Sequence, residues 1–154
     1  MSLTDKKITF IGAGFMGQGL IEGLINAAGG VDKSRVMATD VYEPTRKAVA
    51  EKFGIEVSDD NNSAVTDADL IVLAIKPQMM ESVLPPLAAA IEKDAVVVSI
   101  AAGVETSTLA KLPGSNVKVV RERANFGSAV GAGATAFAAG ATGHNEGLVF
   151  GTVM

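Results

Sequence analysis

The sequence predicts an α/β fold with a doubly wound, mainly parallel sheet, and three observations support this prediction. Apolar segments of strand length alternate with segments of helical periodicity along most of the 154 residues. A glycine-rich turn at residues 12–17 joins the first of these strands to the first helix. An acidic residue, Asp40, stands at the end of the second strand. Because alternating strands and helices favour a parallel sheet with right-handed crossovers, this order indicates a Rossmann-type domain.

Short apolar runs mark the predicted strands. The runs at residues 70–75 and 95–100 are continuously apolar, which is typical of strands that are buried on both faces of a parallel sheet. The predicted strands are residues 7–12, 35–40, 55–57, 70–75, 95–100 and 117–121, with 134–139 as a candidate last strand.

The segments between these strands contain residues that are typical of helix starts and ends. Pro44 opens the second helix and Gly54 ends it. Asn61 or Asn62 is expected to cap a short third helix, and Pro85-Pro86 is expected to kink or split the next one. The predicted helices are residues 16–28, 44–53, 61–66, 77–91 and 105–112.

Composition excludes several classes of function. The net charge is −4 and basic residues are interspersed with acidic ones, so no nucleic-acid partner is expected. There are no cysteines and no visible cluster of metal ligands, so no metal site is predicted. The apolar runs are too short to cross a bilayer, and the N-terminus does not have the pattern of a signal peptide. We therefore expect a cytoplasmic protein without a membrane partner.

Residues 12–17 read Gly-Ala-Gly-Phe-Met-Gly, the pattern of a dinucleotide-binding turn. Gly12 permits a tight turn, Gly14 lets the backbone approach a pyrophosphate, and Gly17 lets the helix pack closely on the strand. The helix then points its free N–H groups at the phosphates. Because a strand precedes this turn and a helix follows it, the pattern predicts NAD(H) or NADP(H) as the cofactor.

Asp40 bears on the choice between these two cofactors. A carboxylate at this position accepts hydrogen bonds from the adenosine ribose and repels a 2′-phosphate, which favours NAD(H). Arg46 and Lys47 follow closely and are candidates to bind a 2′-phosphate. Asp40 is alternatively only the cap of the next turn. The preference therefore stays open on the sequence.

Two further strand ends carry candidate contacts, because ligands of open α/β sheets bind outside the carboxyl ends of the strands. Lys76, fixed by Pro77, is either a cofactor contact or a solvated lysine. The turn Ala101-Ala102 is small enough for nicotinamide or ribose to lie against its backbone. His144, the only histidine, is expected in a surface loop. The catalytic residues stay unknown, and the chemistry is expected to be the cofactor's.

Four segments together resemble the pyrroline-5-carboxylate reductase family. They are residues 8–17, Leu-Ala-Ile-Lys-Pro-Gln at 73–78, Val-Val-Ser-Ile-Ala-Ala-Gly-Val at 97–104, and Val-Gly-Ala-Gly-Ala-Thr-Ala at 130–136. The glycine motif in the first segment is shared with many dehydrogenases, whereas the other three together are much more specific. The resemblance covers nearly the whole chain.

The resemblance implies an oxidoreductase of proline biosynthesis, and so of amino-acid biosynthesis. Hydride from NAD(P)H would reduce the C=N bond of the small imine 1-pyrroline-5-carboxylate and give L-proline. It also implies a homo-oligomer when a helical domain is present. By motif match, the implied cofactor contacts are Ile11, Gly12, Ala13, Gly14, Phe15, Met16, Asp40, Asn61, Ala74, Ile75, Lys76, Pro77, Ala101 and Ala102.

The sequence departs from this family in two places. Where the family has Met-Pro-Asn-Thr-Pro, residues 123–127 read Arg-Ala-Asn-Phe-Gly, so two loop prolines are replaced. The family also continues into a helical domain that forms the dimer and completes the substrate pocket. We therefore expect an NAD(P)-binding domain at residues 1–143 and the start of a truncated helical region at 144–154. Little or no turnover is expected of such a fragment, because hydride transfer needs the imine held in one pose.

Two other functions stay open on the sequence. A reductase that resembles the 3-hydroxyacid dehydrogenases would share the glycine motif and keep its catalytic lysine in the second half. A non-catalytic, dinucleotide-sensing module is favoured by the altered loop at residues 123–127, because a fold alone does not establish the chemistry.

Overall fold

Seven strands form one sheet in the computed structural model, which describes residues 5–26, 31–91 and 95–100 and the backbone of 118–123 and 136–139. Strands β1 to β6 are parallel, and β7 runs antiparallel to β6. The prediction of an α/β fold with a mainly parallel sheet is confirmed. The strands are β1 (Ile8–Ile11), β2 (Val36–Thr39), β3 (Glu56–Ser58), β4 (Leu70–Leu73), β5 (Val96–Ser99), β6 (Lys118–Arg123) and β7 (Ala136–Ala139).

The strand order places β1 inside the sheet, at the point where the direction of winding reverses. The order is β3-β2-β1-β4-β5-β6-β7, so the chain first steps outward from β1 to β2 and β3. It then crosses to the other side of β1 and continues with β4. In open α/β sheets, this reversal leaves a crevice at the carboxyl ends of the two strands on either side.

Four helices and two 3₁₀ turns connect the described strands, and each helix corresponds to a predicted one. Gly54 ends the second helix in a left-handed conformation with φ of +69°, as its position predicted. Within the described ranges, no helix is both long and apolar enough to cross a membrane. The helices are α1 (Phe15–Asn26), α2 (Glu43–Phe53), α3 (Asn61–Val65) and α4 (Met80–Ala90), and the 3₁₀ turns are Lys33–Arg35 and Pro77–Met79.

Several predictions fall outside the described residues. These are the helix at 105–112, the contacts Ala101 and Ala102, the loop after Arg123, His144, and the region 144–154. The domain boundary at residue 143 stays a prediction for the same reason.

The cap of α3 differs from the prediction. Neither Asn61 nor Asn62 is the N-cap, because Asp60 occupies that position with extended backbone. Its carboxylate accepts the backbone N–H groups of Asn62 and Ser63, at 3.0 and 3.2 Å. Asp60 thus satisfies two of the donors that the first turn of a helix leaves without a helical acceptor.

The two adjacent prolines do not split α4. Pro85 and Pro86 lie inside the continuous helix Met80–Ala90, so the helix is not split, and the alternative of a kink stays a prediction. Each proline removes the N–H that would bond to the carbonyl four residues earlier, on Glu81 or Ser82. All four residues are exposed, so water can reach that side of the helix and hydrate those carbonyls.

Each face of the sheet has its own hydrophobic core, and β4 shows why. Leu70 and Val72 pack with α1 and α2 on one face, whereas Ile71 and Leu73 pack with α3 and α4 on the other. Every residue of β4 is buried. A strand covered on both faces needs apolar residues at every position, which accounts for the continuous apolar run in the sequence.

Asp60→Ala removes the side-chain acceptor at the start of α3. We expect the free energy of unfolding to fall by about 1 kcal/mol, measured by urea denaturation. Asp59→Ala is the matched control, because Asp59 is an exposed acidic residue one position before the cap. Its effect should stay within about 0.5 kcal/mol. Equal losses in the two variants would contradict the capping role.

Candidate functional site

The turn after β1 is held between the ends of two neighbouring strands. Gly12 has φ of +97°, and its N–H donates to the carbonyl of Thr39 at the end of β2, at 3.0 Å. On its other side lies Ala74, which follows β4. A Cβ atom on Gly12 would be only 2.5 Å from the Ala74 carbonyl oxygen. This position therefore accepts only glycine, both for its backbone conformation and for its space.

The other two glycines of the motif differ in their surroundings. A Cβ atom on Gly17 would lie 2.8 Å from the carbonyl oxygen of Gly12, so α1 packs directly on the turn. A Cβ atom on Gly14 would meet nothing within 4 Å. The fold thus explains glycine at positions 12 and 17. At position 14 it leaves open space, which a ligand can occupy.

A cleft of about 190 Å³ opens at the carboxyl ends of β1, β2 and β4, beside the point where the winding reverses. It brings together eight of the predicted contacts, namely Ile11, Gly12, Gly14, Asp40, Asn61, Ala74, Ile75 and Lys76. Four residues that the sequence did not single out also line it, namely Thr39, Val41, Met79 and Val83. A second groove, of about 230 Å³, lies at the amino ends of β1 and β2, and none of the predicted contacts lines it.

The remaining described members of the predicted set do not line this cleft. Ala13 is buried beneath the turn, and Met16 is half-buried in α1. Phe15, the first residue of α1, is 61% exposed. Pro77 is exposed at the start of a 3₁₀ turn. A contact between these four and a cofactor stays a prediction.

The Asp40 carboxylate is fixed by two backbone N–H groups. Its Oδ2 accepts the N–H of Ala13 in the glycine turn at 3.1 Å, and its Oδ1 accepts the N–H of Tyr42 at 2.9 Å. The side chain thus bridges the end of β2 to the turn after β1. Each oxygen retains capacity for a further donor, and the carboxylate lines the cleft.

Thr39 holds the side chain of Asn61. The Thr39 hydroxyl is buried and donates to Oδ1 of Asn61 at 2.5 Å, across 22 residues of sequence. Because an amide is planar, with its oxygen and nitrogen on opposite sides, this bond turns the Asn61 NH₂ away from Thr39. The sequence offered one signal for Thr39, namely a polar residue at the end of the apolar strand Val-Met-Ala-Thr.

Lys76 lies on the opposite side of β1 from Asp40. Its backbone is extended, with φ of −67° and ψ of 147°, as expected of a residue that precedes proline. Its side chain is exposed at the rim of the cleft. A cation here makes the local electrostatic potential more positive, which attracts a phosphate group. Among the residues with described side chains, no group of His, Cys, Asp and Glu is arranged to hold a metal ion.

Comparisons with known proteins identify a matching family and similar reductases. The family described as NADP oxidoreductase coenzyme F420-dependent matches residues 7–103. The pyrroline-5-carboxylate reductase of Methanosarcina acetivorans is 42% identical over 138 residues, which are 90% of this chain and 51% of that protein.

Two solved structures share the fold. A pyrroline-5-carboxylate reductase from Coxiella burnetii has a TM-score of 0.85 at 32% identity, covering 96% of this chain and 56% of that one. The Plasmodium falciparum pyrroline carboxylate reductase with NADP bound has a TM-score of 0.81 at 22% identity, covering 97% and 56%. The resemblance indicated by the four sequence segments is therefore confirmed. The chain spans about half the length of the curated relatives it matches.

Gly12→Ala should test the steric role of the turn. We expect the free energy of unfolding to fall by about 3 kcal/mol or more, because the new methyl group meets the Ala74 carbonyl. Gly54→Ala is the matched control. It also has a positive φ, but its nearest neighbour is the flexible Lys33 side chain at 3.9 Å. It should lose only about 1 to 2 kcal/mol. Urea denaturation of both variants measures the difference, and equal losses would contradict close packing at Gly12.

Proposed function

We propose that this chain binds NAD(H) or NADP(H) for the reduction of 1-pyrroline-5-carboxylate. The chain belongs to the family described as NADP oxidoreductase coenzyme F420-dependent. The observation that carries the proposal is the open space over Gly14, at the N-terminus of α1 and beside the cleft. The proposed substrate is taken from the names of the relatives, which are pyrroline-5-carboxylate reductases. The family description mentions both NADP and coenzyme F420. We propose the nicotinamide dinucleotide, because a structural neighbour holds NADP.

The glycine turn fits the pyrophosphate of such a dinucleotide. Nothing within 4 Å fills the position that a side chain of residue 14 would take, so a phosphate can approach the backbone there. Helix α1 begins at Phe15, directly after this turn. The dipole of a helix favours an anion at its N-terminus. Lys76 at the rim adds a positive charge.

The rest of the cleft fits the two nucleoside ends. Asp40 and Asn61 lie on the β2 side, where they would meet the adenosine ribose. Val41 is 77% exposed and lines the cleft beside them, which offers an apolar surface to adenine. On the other side, the backbone of Ala74 and Ile75 follows β4 and would face the nicotinamide half.

When bound, NAD(P)H supplies the hydride that reduces the C=N bond. The residues of this chain hold the dinucleotide in one position, which lowers the entropic barrier to a reaction between two bound molecules. No proton donor is assigned among the described residues. A cytoplasmic location, expected from the composition, and a homo-oligomeric assembly, implied by the resemblance, form part of the same proposal.

Gly14→Val should separate ligand binding from folding. The valine side chain would fill the space over the turn, so we expect the affinity for NADH and NADPH to fall at least about tenfold. Because the space is empty in the protein, the free energy of unfolding should fall by no more than about 1 kcal/mol. Titration by nicotinamide fluorescence and urea denaturation measure the two quantities.

Gly54→Ala is the control for this experiment, since Gly54 lies at the end of α2 and does not line the cleft. It should leave nucleotide affinity unchanged. Unaltered affinity in Gly14→Val would contradict the proposed pyrophosphate site.

The substrate is tested by NAD(P)H oxidation with the 154-residue chain. Little turnover is expected of this chain, and we expect what oxidation of the nucleotide there is to be faster with 1-pyrroline-5-carboxylate than with acetoacetate, because the proposed reaction reduces an imine. Faster oxidation by acetoacetate would favour a hydroxyacid dehydrogenase instead. The absorbance of reduced nicotinamide measures both rates.

A further inference from the structure

We infer that the β2 side of the cleft selects a ribose without a 2′-phosphate, so that this chain binds NAD(H) in preference to NADP(H). Asp40 is the residue that makes the selection, with Asn61 beside it. The inference rests on the proposed function, since it needs a dinucleotide in the cleft. It departs from the NADP seen in the Plasmodium falciparum structure.

Asp40 cannot easily move its charge away from the cleft. Its two oxygens are bonded to the N–H groups of Ala13 and Tyr42, at 3.1 and 2.9 Å, on opposite sides of the carboxylate. Rotation of the side chain out of the cleft would break both bonds. A 2′-phosphate at this position would therefore meet a fixed carboxylate, and two like charges brought together oppose binding.

The two neighbouring cations are engaged with other partners and lie outside the cleft. Nη1 of Arg46 donates to the backbone carbonyl of Asp40 at 2.8 Å. The ammonium group of Lys47 pairs with Glu43 at 3.0 Å on the exposed side of α2. Neither residue lines the cleft. Among the residues that do line it, the cation is Lys76, which follows β4 and is separated from Asp40 by β1.

An adenosine ribose without a 2′-phosphate matches the hydrogen-bonding groups on the β2 side of the cleft. The 2′- and 3′-hydroxyls can each donate one hydrogen bond and accept others. Asp40 supplies acceptors, and the NH₂ of Asn61, turned away from Thr39, supplies a donor. The Asp40 acceptor and the Asn61 donor can therefore bind the 2′- and 3′-hydroxyls of the ribose. A 2′-phosphate in its dianionic form offers only acceptors, so it donates no hydrogen bond to Asp40.

The first test is a pair of titrations with the 154-residue chain at one ionic strength. We expect the Kd for NADPH to exceed the Kd for NADH by about tenfold or more. The ratio should shrink as salt is added, because ions screen the repulsion between the phosphate and Asp40. Calorimetry or nicotinamide fluorescence measures both constants.

Asp40→Ser and Asp40→Asn remove the charge in two different ways. We expect each variant to shift the ratio toward NADPH by about tenfold. A purely structural role would weaken both nucleotides equally and leave the ratio unchanged. Arg46→Gln is the matched control, because Arg46 is the nearest candidate to bind a 2′-phosphate. It should leave the ratio of the two constants unaltered.

The outcomes separate this inference from the proposed function. If neither nucleotide binds, the proposed function fails and the inference fails with it. If both bind equally, or NADPH binds more tightly, the selection by Asp40 is overturned and dinucleotide binding stands. Selective loss of NADPH binding in Arg46→Gln would also overturn it. A lack of preference for NADH in the unaltered chain overturns the inference even where an Asp40 variant does not fold.

Discussion

The candidate site depends on the close approach of three strand ends at Gly12. The N–H of Gly12 bonds to the end of β2, and its α-carbon lies against the residue that follows β4. Any side chain at this position would push β1 and β4 apart at their carboxyl ends. That separation would move Asp40 and Lys76, which stand on the two sides of β1. The lack of a side chain at this one position thus allows the three strand ends to meet beside the cleft.

The sequence predicted the fold and much of the site because both follow from local patterns. The continuous apolar run at β4 indicated a strand buried on both faces, and the glycine turn indicated where the first helix begins. The strand-end rule then placed Asp40 and Lys76 at one edge of the sheet. Eight of the predicted contacts line the cleft, because parallel strands bring their carboxyl ends to a common edge.

The structure departs from the local prediction where the surroundings of a residue override its local preference. Asn61 is a good capping residue, yet its side chain is bonded to Thr39 across 22 residues, and Asp60 caps the helix instead. Of the two alternatives for Pro85 and Pro86, a kink or a split, the split does not occur, because the exposed side of α4 tolerates them. None of these outcomes is visible within a short window of sequence.

The bridge between Asp40 and Ala13 has a consequence for the kinetics of association. It holds the turn in shape before any ligand arrives, so the entropy of ordering that segment is lost during folding and not during binding. A dinucleotide would therefore dock on a preorganised surface, with little backbone rearrangement. We expect its association rate to be limited by diffusion and orientation, and differences in affinity between related nucleotides to reside mainly in how fast they leave.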